Sequence, residues 1–195
     1  IMDGLVGSEM CIRDRVSTAN LYKLIEGSQR FFGIINDNFS IGYPFEFIRM
    51  GRYMERADMI SRILDTLCLS ASLNQMHDFK TLEWASMLRN LSAQEAFREE
   101  SKGEIERGSV LKFLIQNKGF PRSISKCLEQ IEDCVSSLPN NVLMKDEIKK
   151  TINKNFVAHI DKYDDDKLHI FLQELQKRLI KLDERIHKSW FLLHS

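Results

Sequence analysis

The chain has 195 residues, which suits one domain, and its 43% hydrophobic and 29% charged content disfavours disordered, collagen-like and membrane classes. Its 28 basic side chains balance 28 acidic ones, so no overall field draws a phosphate backbone or an acidic lipid surface, and neither nucleic acid nor membrane is expected as a partner. The four cysteines, Cys11, Cys68, Cys127 and Cys134, form no CxxC pair and read as reduced thiols; with no apolar run near the ~20 residues that cross a bilayer and no signal-peptide order at the start, a cytoplasmic protein is expected.

In chain order, Ser8-Glu9-Met10-Cys11-Ile12-Arg13-Asp14-Arg15 resembles the conceptual translation of a sequencing adaptor. Residues 1–15 are therefore expected to be non-native, with a domain over 16–195 truncated at its N-terminus; a native loop and short helix is the alternative. From Thr18, the apolar positions Leu21, Leu24, Ile25, Phe31, Phe32 and Ile35 recur at helical spacing, predicting a helix that ends near Asn38. A turn over Ser40 to Pro44 follows, with Pro44 suited to the first position of the next helix. That helix is long: Phe47, Met50, Met54, Ala57, Ser61, Leu64, Cys68 and Ala71 make one stripe at steps of three and four.

Downstream, Leu82 to Leu91 reads as a helix, Ser92 with Glu95 as a capping box, and Gly103 to Gly108 as a loop. Helices over Val110 to Gln116 and Ile124 to Leu138 flank a Gly119-Phe120-Pro121-Arg122-Ser123 corner, where glycine ends one helix and proline starts the next. Pro139-Asn140-Asn141 closes the second. Another helix is expected from Lys145 to Phe156, and Asp161 to Asp166 is an acidic start for the last. There, Leu168, Leu172, Leu175, Leu179, Leu182, Ile186 and Leu193 fall on a heptad seam interrupted at Ser189, expected to pack antiparallel to the long helix. No segment alternates with period two, so the fold class is all-α: a helical bundle of about six to eight helices without a sheet.

On the long helix, Arg52, Glu55, Met59 and Arg62 lie on one face at about 100° per residue, opposite the apolar stripe and bordered by Arg49 and Arg56. One reading is a solvated face of local ion pairs, with Glu55 in reach of Arg52 and Arg62. The other is a groove in which guanidinium forks hold a carboxylate or phosphate, with Gly51 allowing close helix approach beside it. Arg122 either caps nearby helix ends or reaches this face. The histidines His77, His159, His169, His187 and His194 lack metal-ligand spacing and read as surface residues, so no metal site is expected. Cys127 and Cys134, seven apart on one helix face, read as core packing, and Trp84 and Trp190 as core or interface anchors. Without a phosphate loop, nucleophile elbow or kinase motif, no cofactor is expected.

The segment Phe47 to Asp58, containing Gly51-Arg52-Tyr53-Met54-Glu55-Arg56-Ala57, with Ser61-Arg62-Ile63-Leu64-Asp65 after it, resembles the signature of the alpha-E domain family. Leu21-Tyr22, Gly27-Ser28-Gln29, Phe32-Gly33, Trp84, Leu88-Arg89, Ala93, Glu95-Ala96-Phe97-Arg98 and Phe120-Pro121-Arg122-Ser123 extend the likeness over Ala19 to Leu138; after Asn140 no motif matches. The resemblance implies a bacterial helical domain of uncharacterised activity, in which this chain carries the second of two signature copies. It also implies association with ATP-grasp ligases and transglutaminase-like proteins, hence peptide or amide-bond metabolism. It marks Arg52, Glu55 and Arg56 as signature positions, with Arg62 and Arg122 as weaker additions, for substrate or partner binding. The expected role is an auxiliary module for an ATP-grasp ligase. The alternatives are an enzyme with Glu55 as acid or base between anion-holding arginines, and a purely structural bundle.

Overall fold

The computed structural model describes residues 18–73, 80–101 and 105–192. The chain divides into two compact units, 1–45 and 46–195, and the described residues are helical without a strand. Residues 1–15 lie outside the described part.

In the first unit, α1 (Thr18–Asn38) takes the predicted bounds. Of its six apolar positions, only Ile35 is buried; Leu21, Leu24, Ile25 and Phe31 are exposed and Phe32 is half-buried. The period of the pattern held, but not the burial it normally signals. The next helix, α2 (Tyr43–Leu73), begins in this unit, with Pro44 in its first turn, and runs into the second.

In the second unit, the predicted stripe of α2 faces the core from Phe47 to Cys68; the side chain of Ala71 lies outside the described part. Met50, Ala57, Ser61, Leu64 and Cys68 are buried, and Phe47 and Met54 pack against them. Helices α3 (Lys80–Asn90) and α4 (Gln94–Ser101) come next. The capping box expected between them does not form. Ser92 sits in the left-handed region at φ 51°, donating its N–H to Arg89 O at 2.9 Å while Ala93 N–H reaches Leu88 O at 2.7 Å. These two bonds close a Schellman motif that ends α3, with Ala93 and Leu88 fully buried. The side chain of Glu95 turns instead to Arg98.

Helix α5 (Arg107–Gln116) starts before the predicted loop is over, because Gly108 lies in its first turn. A Cβ there would stand 3.3 Å from Asp161 O, so glycine admits a close approach to the 3₁₀ turn Ile160–Lys162, against which α5 packs. The corner to α6 (Ile124–Ser136) is also built differently from the glycine and proline reading. Asn117 Oδ1 accepts from Gly119 N–H at 2.7 Å and Phe120 N–H at 2.6 Å, the Ser123 hydroxyl donates to Asn117 O, and Ser123 Oγ accepts from Lys126 N–H at 3.0 Å as the N-cap. Pro121 precedes the helix without starting it. Side-chain acceptors supply what the backbone alone lacks.

Helix α6 buries Ile124, Cys127, Leu128, Ile131, Cys134 and Val135, one complete helical face. It packs on α7 (Val142–Val157), which packs on α8 (Asp165–Ile186). Asp164 caps α8 by accepting from Lys167 N–H at 2.8 Å, whereas Asp161 belongs to the preceding turn. The seam Leu168, Leu172, Leu175, Leu179, Leu182 and Ile186 is buried throughout. It stops there because a π-helical turn, His187–Phe191, breaks the register and takes Ser189 and Trp190 out of the α-helix; Leu193 lies outside the described residues. Phe47 meets Trp190 at a 5.7 Å ring separation and Asp65 meets His169, so α8 runs antiparallel to α2 as expected. Among the described residues, no helix is long and apolar enough to cross a membrane.

Candidate functional site

The outward face of α2 does not carry the expected Glu55 network. Arg62 Nε donates to Asp58 Oδ2 at 2.7 Å, an acid one turn before a base, the favoured order on a helix. Glu55 is exposed and forms no ion pair or hydrogen bond among the described residues. It follows Arg52 by three residues in the less favoured order and lies two turns from Arg62. Gly51 was expected to admit a neighbouring helix, yet a Cβ there meets nothing within 4 Å among the described residues. Gly51→Ala is therefore expected to raise stability by about 0.5–1 kcal/mol, seen as a higher urea midpoint; a lower midpoint would mean that something does lie against this position.

What converges instead is a set of guanidiniums. Arg52 and Arg56 are half-buried one turn apart on α2. Arg56 Nη1 donates to Pro121 O at 3.3 Å, and its Cζ stands 5.8 Å from the Tyr53 ring centroid, a cation over a π face. Arg122, the next residue of the corner, donates through Nη1 to Leu91 O at 2.6 Å, a carbonyl at the end of α3. Burial holds the pKa of Arg52 below its ordinary value, and the like charges of Arg56 and Arg122 add to that lowering. Arg122 thus ties down a helix end, and it follows directly on Pro121, whose carbonyl Arg56 holds. The result is a cationic cluster drawn from α2 and a corner about 65 residues further along.

Arg49, one turn earlier, is engaged differently. Its guanidinium donates to the carboxylate of Glu46 at 3.0 Å and to Gln130 Oε1 at 3.2 Å, fastening α2 to α6. Glu46 is only 6% exposed and was missed in the sequence, where an acid in a first turn reads as a dipole partner. Burial pushes the Cys68 and Cys127 thiols up to about 11 and Cys134 to about 12, which suits packing and not nucleophilic chemistry. His159 and His187 are exposed as expected. His169 is not: its Nδ1 lies 2.5 Å from Asp65 Oδ1, linking α8 to α2. His77, His194 and Cys11 lie outside the described residues. Trp84 is buried, and Trp190 Nε1 donates to Pro139 O at 3.0 Å.

The dipeptide Glu-Arg occurs at 55–56, 106–107 and 184–185. Two of its arginines hold the fold together. Arg107 donates to Tyr163 O at 2.6 Å and to Asp165 Oδ1 at 2.8 Å, and Arg185 pairs with Glu147. Arg56 alone of the three joins the cationic cluster. The family model for Alpha-E, described as a predicted alpha-helical domain with a conserved ER motif, matches residues 6–191, so the likeness extends well past Leu138. No curated protein and no solved structure matches the chain.

Proposed function

The chain belongs to the Alpha-E family, and we propose that it works as a non-catalytic module assisting an ATP-grasp ligase, its Arg52, Glu55 and Arg56 face engaging an anionic group on that ligase or its substrate. The observation that carries this reading is geometric: Arg56, one turn from Arg52 on α2, donates to the carbonyl of Pro121, the residue beside Arg122, which itself holds Leu91 O. Guanidiniums of like charge brought near one another attract an anion, and their forks match the planar oxygens of carboxylate and phosphate. A ligase that uses ATP handles both groups. The ligase as partner, and the transglutaminase-like protein as another, come from the family resemblance. Arg62, held by Asp58, borders the face without belonging to the anion grip.

The rival reading makes Glu55 a general acid or base. Such a group is oriented by a partner and shielded from water; Glu55 is exposed and has no hydrogen bond among the described residues. The test is a ligase reaction reconstituted with the complete protein. Glu55→Gln is expected to leave product formation within about twofold of wild type, and Arg52→Gln with Arg56→Gln to lower ligase capture by about tenfold or more, a charge-assisted contact or two. Product lost in Glu55→Gln at unchanged capture would establish the enzyme instead.

A further inference from the structure

Arg52, Arg56, Met59 and Ile63 follow one another on α2 at steps of four, three and four, a single stripe running from cations to apolar side chains. Met59 is 51% and Ile63 38% exposed, large apolar surfaces left in water on the face opposite the core. Beside them lies a groove of about 640 Å³ between α2 and α3, with Met59, Ile63 and Leu67 on one wall and Met87 and Leu91 on the other. Its lining is mainly apolar, its size is that of a small-ligand site, and its two methionines can repack around varied shapes. The groove adjoins the cluster at two points. Arg56 lies just under one turn before Met59, and Leu91, whose carbonyl holds Arg122, is itself a wall residue.

We infer that cluster and groove form one site for an amphiphilic phosphate monoester, the phosphate on Arg52, Arg56 and Arg122 and the apolar substituent along Met59, Ile63 and Met87. This rests on the anion-binding reading above and adds the class of ligand. Phosphate is favoured over carboxylate because a monoester carries a charge of about −1.5 to −2 toward arginines placed together by the Arg56 to Pro121 O and Arg122 to Leu91 O contacts, with Arg52 one turn from Arg56. A chain in the groove removes apolar surface of ligand and protein from water together, so affinity rises with chain length; a fully buried methylene is worth about fourfold.

The test is calorimetric titration of the full chain with inorganic phosphate, butyl phosphate and hexyl phosphate, with hexanol as the uncharged comparison. Hexyl phosphate is expected to bind at least about tenfold tighter than inorganic phosphate, with butyl phosphate between them and hexanol weakest. Met59→Ser with Ile63→Ser, at exposed positions, should erase the gain from the chain and leave inorganic phosphate binding unchanged. Equal affinity for all three phosphates would overturn the groove assignment while the arginine reading stood. Absence of phosphate binding would overturn both, and hexyl phosphate binding that is indifferent to Arg52→Gln would overturn the joint site.

Discussion

Asn155→Ala is expected to cost about 3 kcal/mol of unfolding free energy, the sum of stranded buried polar groups and a small cavity. Asn155 is 1% exposed near the end of α7. Its Nδ2 donates to Ile115 O at 3.1 Å, one of the last carbonyls of α5, and to Ser125 Oγ at 2.6 Å in the first turn of α6. In return Gln116, the last residue of α5, donates through Nε2 to Asn155 O at 2.7 Å and Ala158 O at 2.8 Å. Each helix thus satisfies carbonyls that the other leaves without an internal partner. The Ile115 carbonyl can only accept, which fixes which end of the amide faces it. Asn155 Oδ1 has no partner among the described residues, so the benefit rests on Nδ2 and Asn155→Asp should be no milder. Urea unfolding checks this: the midpoint falls with an unchanged slope. A loss below about 0.5 kcal/mol, the range of ordinary surface changes, would show that the exchange between the helix ends is not a determinant of stability.

The second large effect is on binding and has the opposite relation to stability. Arg52→Gln with Arg56→Gln is expected to weaken inorganic phosphate binding by about tenfold or more, since two charge-assisted contacts are lost. The same variant is expected to unfold at the same urea concentration as wild type or a higher one. Removing two positive charges relieves the repulsion among the three arginines, and the bond from Arg56 to Pro121 O is exposed and worth little. Weaker binding together with undiminished stability marks a cluster kept for a ligand. Weaker binding with a collapse of stability would mean that the arginines hold the corner in place, as Arg49 and Arg107 hold their own neighbours.

Helix bounds were largely legible because apolar spacing and the prolines report on local structure; α1 and the stripes of α2 and α8 follow from them. Reading failed where one residue type serves two local geometries. A serine three before a glutamate fits a capping box, but Ser92 adopts a left-handed backbone and closes the helix before it. The Asn117 to Ser123 corner failed for the same reason, since side-chain acceptors replaced the glycine and proline roles. Within the site, Arg52 and Arg56 were legible as near neighbours one turn apart. Helical arithmetic put Glu55 about as close to Arg52, and only the docking of a distant corner decided that Arg56 and Arg122 would share the face. Asn155 was not legible, because the sequence pattern does not reveal which polar residue lies under a neighbouring helix end.

The most direct measurement is a phosphate titration of the full chain followed through the Nε–H signals of its arginines. The signals of Arg52, Arg56 and Arg122 should shift together along one saturation curve, while Arg62 and Arg107, held by Asp58 and Asp165, stay in place. Shifts spread evenly over the exposed arginines, or none that saturate, would contradict an anion site on α2.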